Sequence, residues 1–279
     1  MKTIIVINDN STDALNAARL ALSIAKKVNA NLLIANESKV YEHITADGLI
    51  LTSDNCVTLL TGDPTTSIVE HLVSFESTGD EFKPEISDMD ISNFCVEDLA
   101  KLIIKTNIWM IVKGTREFGD NNMDVLHINM QYVLNRVMCP LLLVPSKFKI
   151  KDFERLVYMA DLRYCRLHVI RYLVELGKPF GASVQIDHLS AKNLPHMEQD
   201  YAARFFNEEF KSNINYDWLF FDNIRERDIY KAVDVMIKGL HIDLLAVVNH
   251  RFHFEEILGR NIPQVLPEQI TIPLLIFPY

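Results

Sequence analysis

The sequence predicts an α/β protein made of two doubly wound parallel-sheet units in tandem. Three observations carry this. Short apolar runs such as Trp109-Met110-Ile111-Val112 and Leu244-Leu245-Ala246-Val247-Val248 have no polar alternation, as expected of strands buried on both faces. Helical patterns separate these runs, which implies right-handed crossovers and a parallel sheet. Finally, one closing pattern is written twice. Val133-Leu134 precedes Pro140-Leu141-Leu142-Leu143-Val144-Pro145, and Val265-Leu266 precedes Pro273-Leu274-Leu275-Ile276-Phe277-Pro278.

The elements follow in order. Ile4-Ile5-Val6-Ile7-Asn8-Asp9 opens the chain as a strand ending in an acid. Ala14, Ala17, Ala18, Ala21, Ile24, Ala25 and Val28 then mark one face of a helix, with Ser11 as N-cap and Asp13 in the first turn. Strands are expected near Leu32–Asn36 and Val57–Leu60, with a turn at Gly62-Asp63-Pro64. A helix near Val96–Lys105 leads to the Trp109–Val112 strand, and a helix near Gln131–Val137 leads to the strand Leu141–Val144. The second unit repeats the scheme. It opens with Leu156-Val157-Tyr158-Met159-Ala160-Asp161, then a helix over Leu167–Leu176 and a strand over Val184–His188. A helix over Tyr201–Lys211, a strand over Trp218–Phe221 and a helix over Asp228–Lys238 come next, and the strands Leu244–Val248 and Leu274–Phe277 close it. Tyr201, Phe205, Phe206 and Phe210 recur at helical spacing and are expected to pack in a core or an interface. The boundaries are therefore 1–147 and 152–279. The stretch from about 76 to 98 carries eight acidic residues against the single Lys83 and reads as a solvated surface insertion; its carboxylates do not match a calcium-loop spacing.

Composition narrows the function. Acidic residues number 37 against 28 basic ones, giving a net charge of −9, and no long basic patch overrides it. Such a surface repels nucleic acid and anionic membrane. No apolar run approaches the length of a signal peptide or a spanning helix, so the expected location is cytoplasmic. Cys56, Cys95, Cys139 and Cys165 lie far apart and read as reduced, buried thiols, with neither a disulfide framework nor a zinc site.

The opening Val6-Ile7-Asn8-Asp9-Asn10-Ser11, the Lys113-Gly114-Thr115 after the fourth strand, and the closing Val133-Leu134…Cys139-Pro140-Leu141-Leu142-Leu143-Val144-Pro145 together resemble the universal stress protein family. The second unit resembles it through Asp161, Asp243-Leu244-Leu245-Ala246-Val247-Val248 and Ile272-Pro273-Leu274-Leu275-Ile276-Phe277. The resemblance implies a tandem form with five parallel strands per unit, of the Rossmann-like, adenine nucleotide alpha hydrolase-like type. It also implies a ligand crevice between the first and fourth strands, and pairing of the units through their last strands. The chain would then be an internal pseudo-dimer, with a further homodimer open to it. Some members bind ATP in the crevice, and ligands of open α/β sheets settle beyond the carboxyl ends of the strands where the order reverses.

Asp9 and Gly114 stand at such ends, and so does Asp161 in the second unit. ATP-binding members carry Gly, two residues, Gly, nine residues, then Gly followed by Ser or Thr, because small residues let backbone N–H groups reach phosphate. Here those positions hold Gly114, Glu117, His127 and Ile128, so only the first matches; Gly119 stands close to the second. In the second unit Val248 and Arg251 hold the first two positions, and Gly259-Arg260 stand where Gly-Ser would be. His250, Arg251, His253 and Arg260 suggest a local cationic patch for an anion, or plain loop residues; a metal lacks a third ligand.

No nucleophile elbow, phosphate loop, dinucleotide fingerprint or zinc-protease motif occurs, and Glu37, His188 and Asp161 have no partner in sequence that would make them an acid or a base. The expectation is a non-enzymatic stress-response protein that senses a small anionic or nucleotide ligand or binds an unidentified protein partner, with the ATP motif degraded in both units. The candidate crevice residues are Asp9, Gly114, Asp161, Arg251, Gly259 and Arg260. ATP is the one candidate cofactor, under an alternative reading as a nucleotide-binding protein with weak hydrolysis. A third reading is an enzyme acting on a small anion in the second crevice.

Overall fold

A strand with no polar break has no face to give to solvent. Ile4–Ile7 accordingly forms the middle of β1 (Lys2–Asn8), with Ile4, Ile5 and Val6 fully buried. The structure, a computed structural model, describes residues 1–37, 43–44, 50–51, 68–74, 82–116 and 128–279. Helix α1 (Thr12–Val28) follows, and the Ser11 hydroxyl accepts from the Ala14 N–H as its N-cap. Its buried alanines let the helix lie close against the sheet. The first half continues with β2 (Ala30–Asn36), the two-residue pair β3 (His43–Ile44) and β4 (Ile50–Leu51), α2 (Ile68–Ser74) and β5 (Ile86–Asp90). It closes with α3 (Val96–Lys105), β6 (Ile108–Thr115), α4 (Met130–Leu134) and β7 (Leu141–Pro145). The second half runs β8 (Arg155–Ala160), α5 (Leu167–Gly177), β9 (Ser183–Leu189), α6 (Gln199–Glu209), β10 (Leu219–Ile224), α7 (Ile229–Asp234), β11 (Leu244–Val248), α8 (Phe252–Leu258) and β12 (Leu274–Phe277).

Ten strands form one sheet in the order β10-β9-β8-β11-β12-β7-β6-β1-β2-β5. Every neighbouring pair is parallel except β12 and β7, which pair antiparallel with Leu274 opposite Leu143 and Ile276 opposite Leu141. Each half therefore has the same strand order read outward from this junction. In each, the order reverses between the first and fourth strands: β1 beside β6, and β8 beside β11. The halves also meet off the sheet. Trp109 stacks on Tyr172 with centroids 4.7 Å apart, and the Tyr172 hydroxyl donates to the Trp109 carbonyl. No helix among the described residues is long and apolar enough to cross a membrane.

Several expectations need correcting. In its described part, the acidic stretch read as an insertion supplies β5, which pairs with β2 from Leu32–Ile86 to Asn36–Asp90. It is one of the sheet's two edge strands, so its outward Asp88 and Asp90 meet water and discourage pairing with another chain. The loop expected around residues 250–260 contains α8. The expected Val57–Leu60 strand, the Gly62–Pro64 turn and Cys56 lie outside the described residues, as do Glu117, Gly119 and His127. Cys95 is exposed rather than buried, because it is the N-cap residue of α3 and its thiol donates to the Asp98 carboxylate. Of the aromatic stripe, Phe206 and Phe210 are buried, and Phe206 stacks on Phe221 of β10, while Tyr201 stays exposed.

Candidate functional site

Parallel register decides which side chains enter the first-half crevice. Ile7 pairs with both Ala35 and Lys113, so Lys113 and Glu37, two residues beyond Ala35, belong to one face at the carboxyl edge. Gly114 faces the other way. A Cβ there would lie 2.5 Å from the Asp13 carbonyl carbon and oxygen, so the glycine exists to let β6 pass the first turn of α1. Its role as a ligand contact is thus not needed to explain it. Asp9 also has local work: one carboxylate oxygen accepts from the Ser11 N–H at 3.1 Å and from the Ser11 hydroxyl, which orients the helix cap.

Between these elements lies a cavity of about 230 Å³ lined by Asp9, Lys113, Arg116, Asn129, Ile262 and Gln264, among others. Its outer wall comes from the second half. The Arg116 N–H donates to the Gln264 carbonyl at 3.2 Å, and the Ile262 N–H donates to the Gln131 side-chain oxygen at 3.0 Å. Gln131 also donates to Asn249, and the Asn249 amide donates to the exposed Asn135, so an amide network buried at Gln131 and Asn249 fixes this wall. Lys113 is only 8% exposed. Burial pulls its ammonium below the usual lysine range, and the carboxylates of Glu37 and then Asp9 oppose that pull. Glu37 is itself 3% exposed, and one of its oxygens accepts from the Ile128 N–H at 2.9 Å. Its other oxygen is buried with no hydrogen-bond partner among the described residues.

The second crevice, at the matching place, is filled. The space bounded by Tyr158, Asp161, Tyr164, Val248 and Arg251 measures about 20 Å³, roughly the room of one water. The Arg251 guanidinium occupies it, 4.4 Å from the Tyr279 ring centroid and 5.4 Å from that of Tyr164. Asp161 is consumed locally, accepting two side-chain bonds from Arg163 and one from the Ala191 N–H at 2.9 Å. Burial pushes its pKa up most strongly, but these bonds together hold the carboxyl below its ordinary value. The expected cationic patch does not assemble. His253 is buried and donates to the Leu189 carbonyl, with burial lowering its pKa; the exposed His250 lies against Gln131 and Asn135, and Arg260 is exposed. Gly259 ends α8 at φ +79°, a conformation that suits glycine for chain geometry alone. His188 accepts from the Leu162 N–H at 3.1 Å through Nδ1, and its Nε2 lies 3.4 Å from the Ser190 hydroxyl. No group of three metal-ligating side chains occurs among the described residues.

A wider depression of about 620 Å³ lies off the switch point, beyond β9 and β10, where Arg227 donates to His196 at 2.9 Å. Of its polar lining side chains, Lys192, Asn193, His196, Arg227 and Asp228 are exposed, and Ser190 and Glu256 are half-buried.

No protein-family model and no curated protein sequence matches the chain. Solved structures do. A universal stress protein from Archaeoglobus fulgidus DSM 4304 superposes with a TM-score of 0.56 at 13% identity, over 99% of this chain and 97% of that one. A functionally unknown protein from Pseudomonas aeruginosa PAO1 superposes with a TM-score of 0.50 at 12% identity, over 99% and 92%. At these identities the shared property is the fold, and the chain has the fold of a solved universal stress protein along nearly its whole length.

Proposed function

We propose that this chain, built on the fold of a universal stress protein, is a non-enzymatic stress-response protein that senses a small ligand in its first-half crevice. The observation that carries the reading is the asymmetry of the two switch points: one holds a cavity of about 230 Å³, the other about 20 Å³. The first is lined by polar groups from both halves, so its occupancy is coupled to the way the halves meet. The second half acts as a wall and a support rather than a second binding unit.

The alternative is a nucleotide-binding protein with weak hydrolysis, with ATP as the cofactor held near Asp9 and Gly114. Native mass spectrometry of gently purified protein, followed by titration with adenosine and with ATP plus magnesium, separates the two. Ligand-free protein, or one small non-phosphorylated ligand per chain, supports sensing. Stoichiometric adenine nucleotide, with phosphate release on incubation, supports the alternative.

A further inference from the structure

Three consecutive residues at the end of β9 are each held by a buried polar side chain. His253 donates through Nε2 to the Leu189 carbonyl at 2.9 Å, His188 Nε2 lies 3.4 Å from the Ser190 hydroxyl, and the Asp161 carboxylate accepts from the Ala191 N–H at 2.9 Å. Burying a polar side chain is costly unless it is bonded, so three of them committed to one short stretch mark a segment that is held rigid. All three residues line the depression of about 620 Å³ beyond β9 and β10.

The same bonds set the role of the Ser190 hydroxyl. The Leu162 N–H donates to His188 Nδ1 at 3.1 Å, so that nitrogen carries no hydrogen. Burial favours the neutral ring, whose hydrogen is then on Nε2. His188 therefore donates to Ser190, and the Ser190 hydrogen is left for another acceptor. A nucleophile and its base are arranged the other way, with Nε2 taking the serine proton. Ser190 is thus a preset donor. Arg227 is oriented likewise: its Nε donates to His196 at 2.9 Å, which leaves the two terminal nitrogens as a fork. Lys192 lines the same depression and has no hydrogen-bond or ion-pair partner among the described residues. Of the two acids in the lining, Asp228 is engaged as the cap of α7, where it accepts from the Tyr230 and Lys231 N–H groups. Glu256 alone opposes the two cations.

We propose that this depression binds the oxyanion group, phosphate or carboxylate, of a small molecule, with Ser190 as the fixed donor and Lys192 and Arg227 as counter-charges. Its volume suits such a ligand. It lies away from both switch points, so the second half, a wall for the first-half ligand, carries a separate site of its own, and the inference stands apart from the sensing reading.

Inorganic pyrophosphate and citrate, titrated calorimetrically near neutral pH, test it. Wild type is expected to bind at least one of them with a Kd below about 1 mM. Preference for pyrophosphate assigns a phosphate ligand, and preference for citrate a carboxylate. The double variant Lys192→Met/Arg227→Gln alters exposed side chains only, and it is expected to bind at least about tenfold more weakly. Ser190→Ala is expected to bind more weakly than wild type, and Glu256→Gln more tightly. Absence of saturable binding of either anion overturns the inference, and so does binding that the double variant leaves unchanged, because the anion then sits elsewhere. Covalent labelling of Ser190 by a fluorophosphonate, read by peptide mass mapping, would overturn its assignment as a donor.

Discussion

Asp187 of β9 offers a perturbation whose size follows from the structure. Its side chain is fully buried, and one oxygen accepts from the Gln185 amide at 2.6 Å while the other is buried with no hydrogen-bond partner among the described residues. Burial pushes its pKa from 3.8 up to about 7; the Gln185 bond lowers it somewhat, and Asp222, its register partner on β10, raises it. A carboxyl whose folded pKa is raised contributes stability that is full below its unfolded pKa and is lost as pH rises through the folded value. The window therefore runs from about pH 4 to about pH 7. Three units at about 1.36 kcal/mol each give a total of about 4 kcal/mol, of which roughly 2.5 kcal/mol is lost between pH 5 and pH 8. Asp187→Asn removes the titration. Urea unfolding of both proteins at about pH 5 and about pH 8 reads the double difference, in which any constant cost of the amide cancels. Wild type is expected to lose about 2–3 kcal/mol more than the variant over that interval. Parallel stability profiles would show that Asp187 is ionised in the folded chain throughout, and the reasoning from burial would be refuted.

Two further outcomes are expected. Gly114→Ala places a methyl against the Asp13 backbone at 2.5 Å, and backbone cannot rotate away, so thermal or urea unfolding should show a loss of about 1–3 kcal/mol or more. An unchanged midpoint would return Gly114 to the ligand contacts. In a Cys56→Ala background, a thiol alkylating agent followed by peptide mass mapping should modify Cys95 first, because it is exposed. Cys139 and Cys165 should lag: burial lifts both thiols, Cys165 to about 12 and Cys139 higher still. Equal rates would contradict their placement.

What could be read in the sequence tracks how local the cause is. Buried parallel strands are written as unbroken apolar runs, so β6, β7, β11 and β12 were legible, and α3 was legible to its ends. Edge strand β5 was hidden because only one side of it joins the sheet and its sequence, Ile-Ser-Asp-Met-Asp, looks like surface. Helix α8 was missed because seven residues capped by an arginine give neither a clear period nor a cap signal. The site divides in the same way. Asp9 and Gly114 were found through their position after strands, yet each is explained in good part by the start of α1. Glu37 stood in the sequence as an acid without a partner, since its partner, the Ile128 N–H, is 91 residues away. The filling of the second crevice by Arg251 depends on Tyr164 and on Tyr279 at the far end of the chain, which no local pattern announces.

The central claim is that ligand enters one switch point and not the other. Methyl-labelled protein titrated with adenosine tests it directly, because Ile128, Met130, Leu143 and Ile262 line the first crevice and Met159 and Val248 line the second. Saturable shifts are predicted for the first set, with the second unmoved. Shifts at Met159 and Val248, with the first set silent, would contradict it.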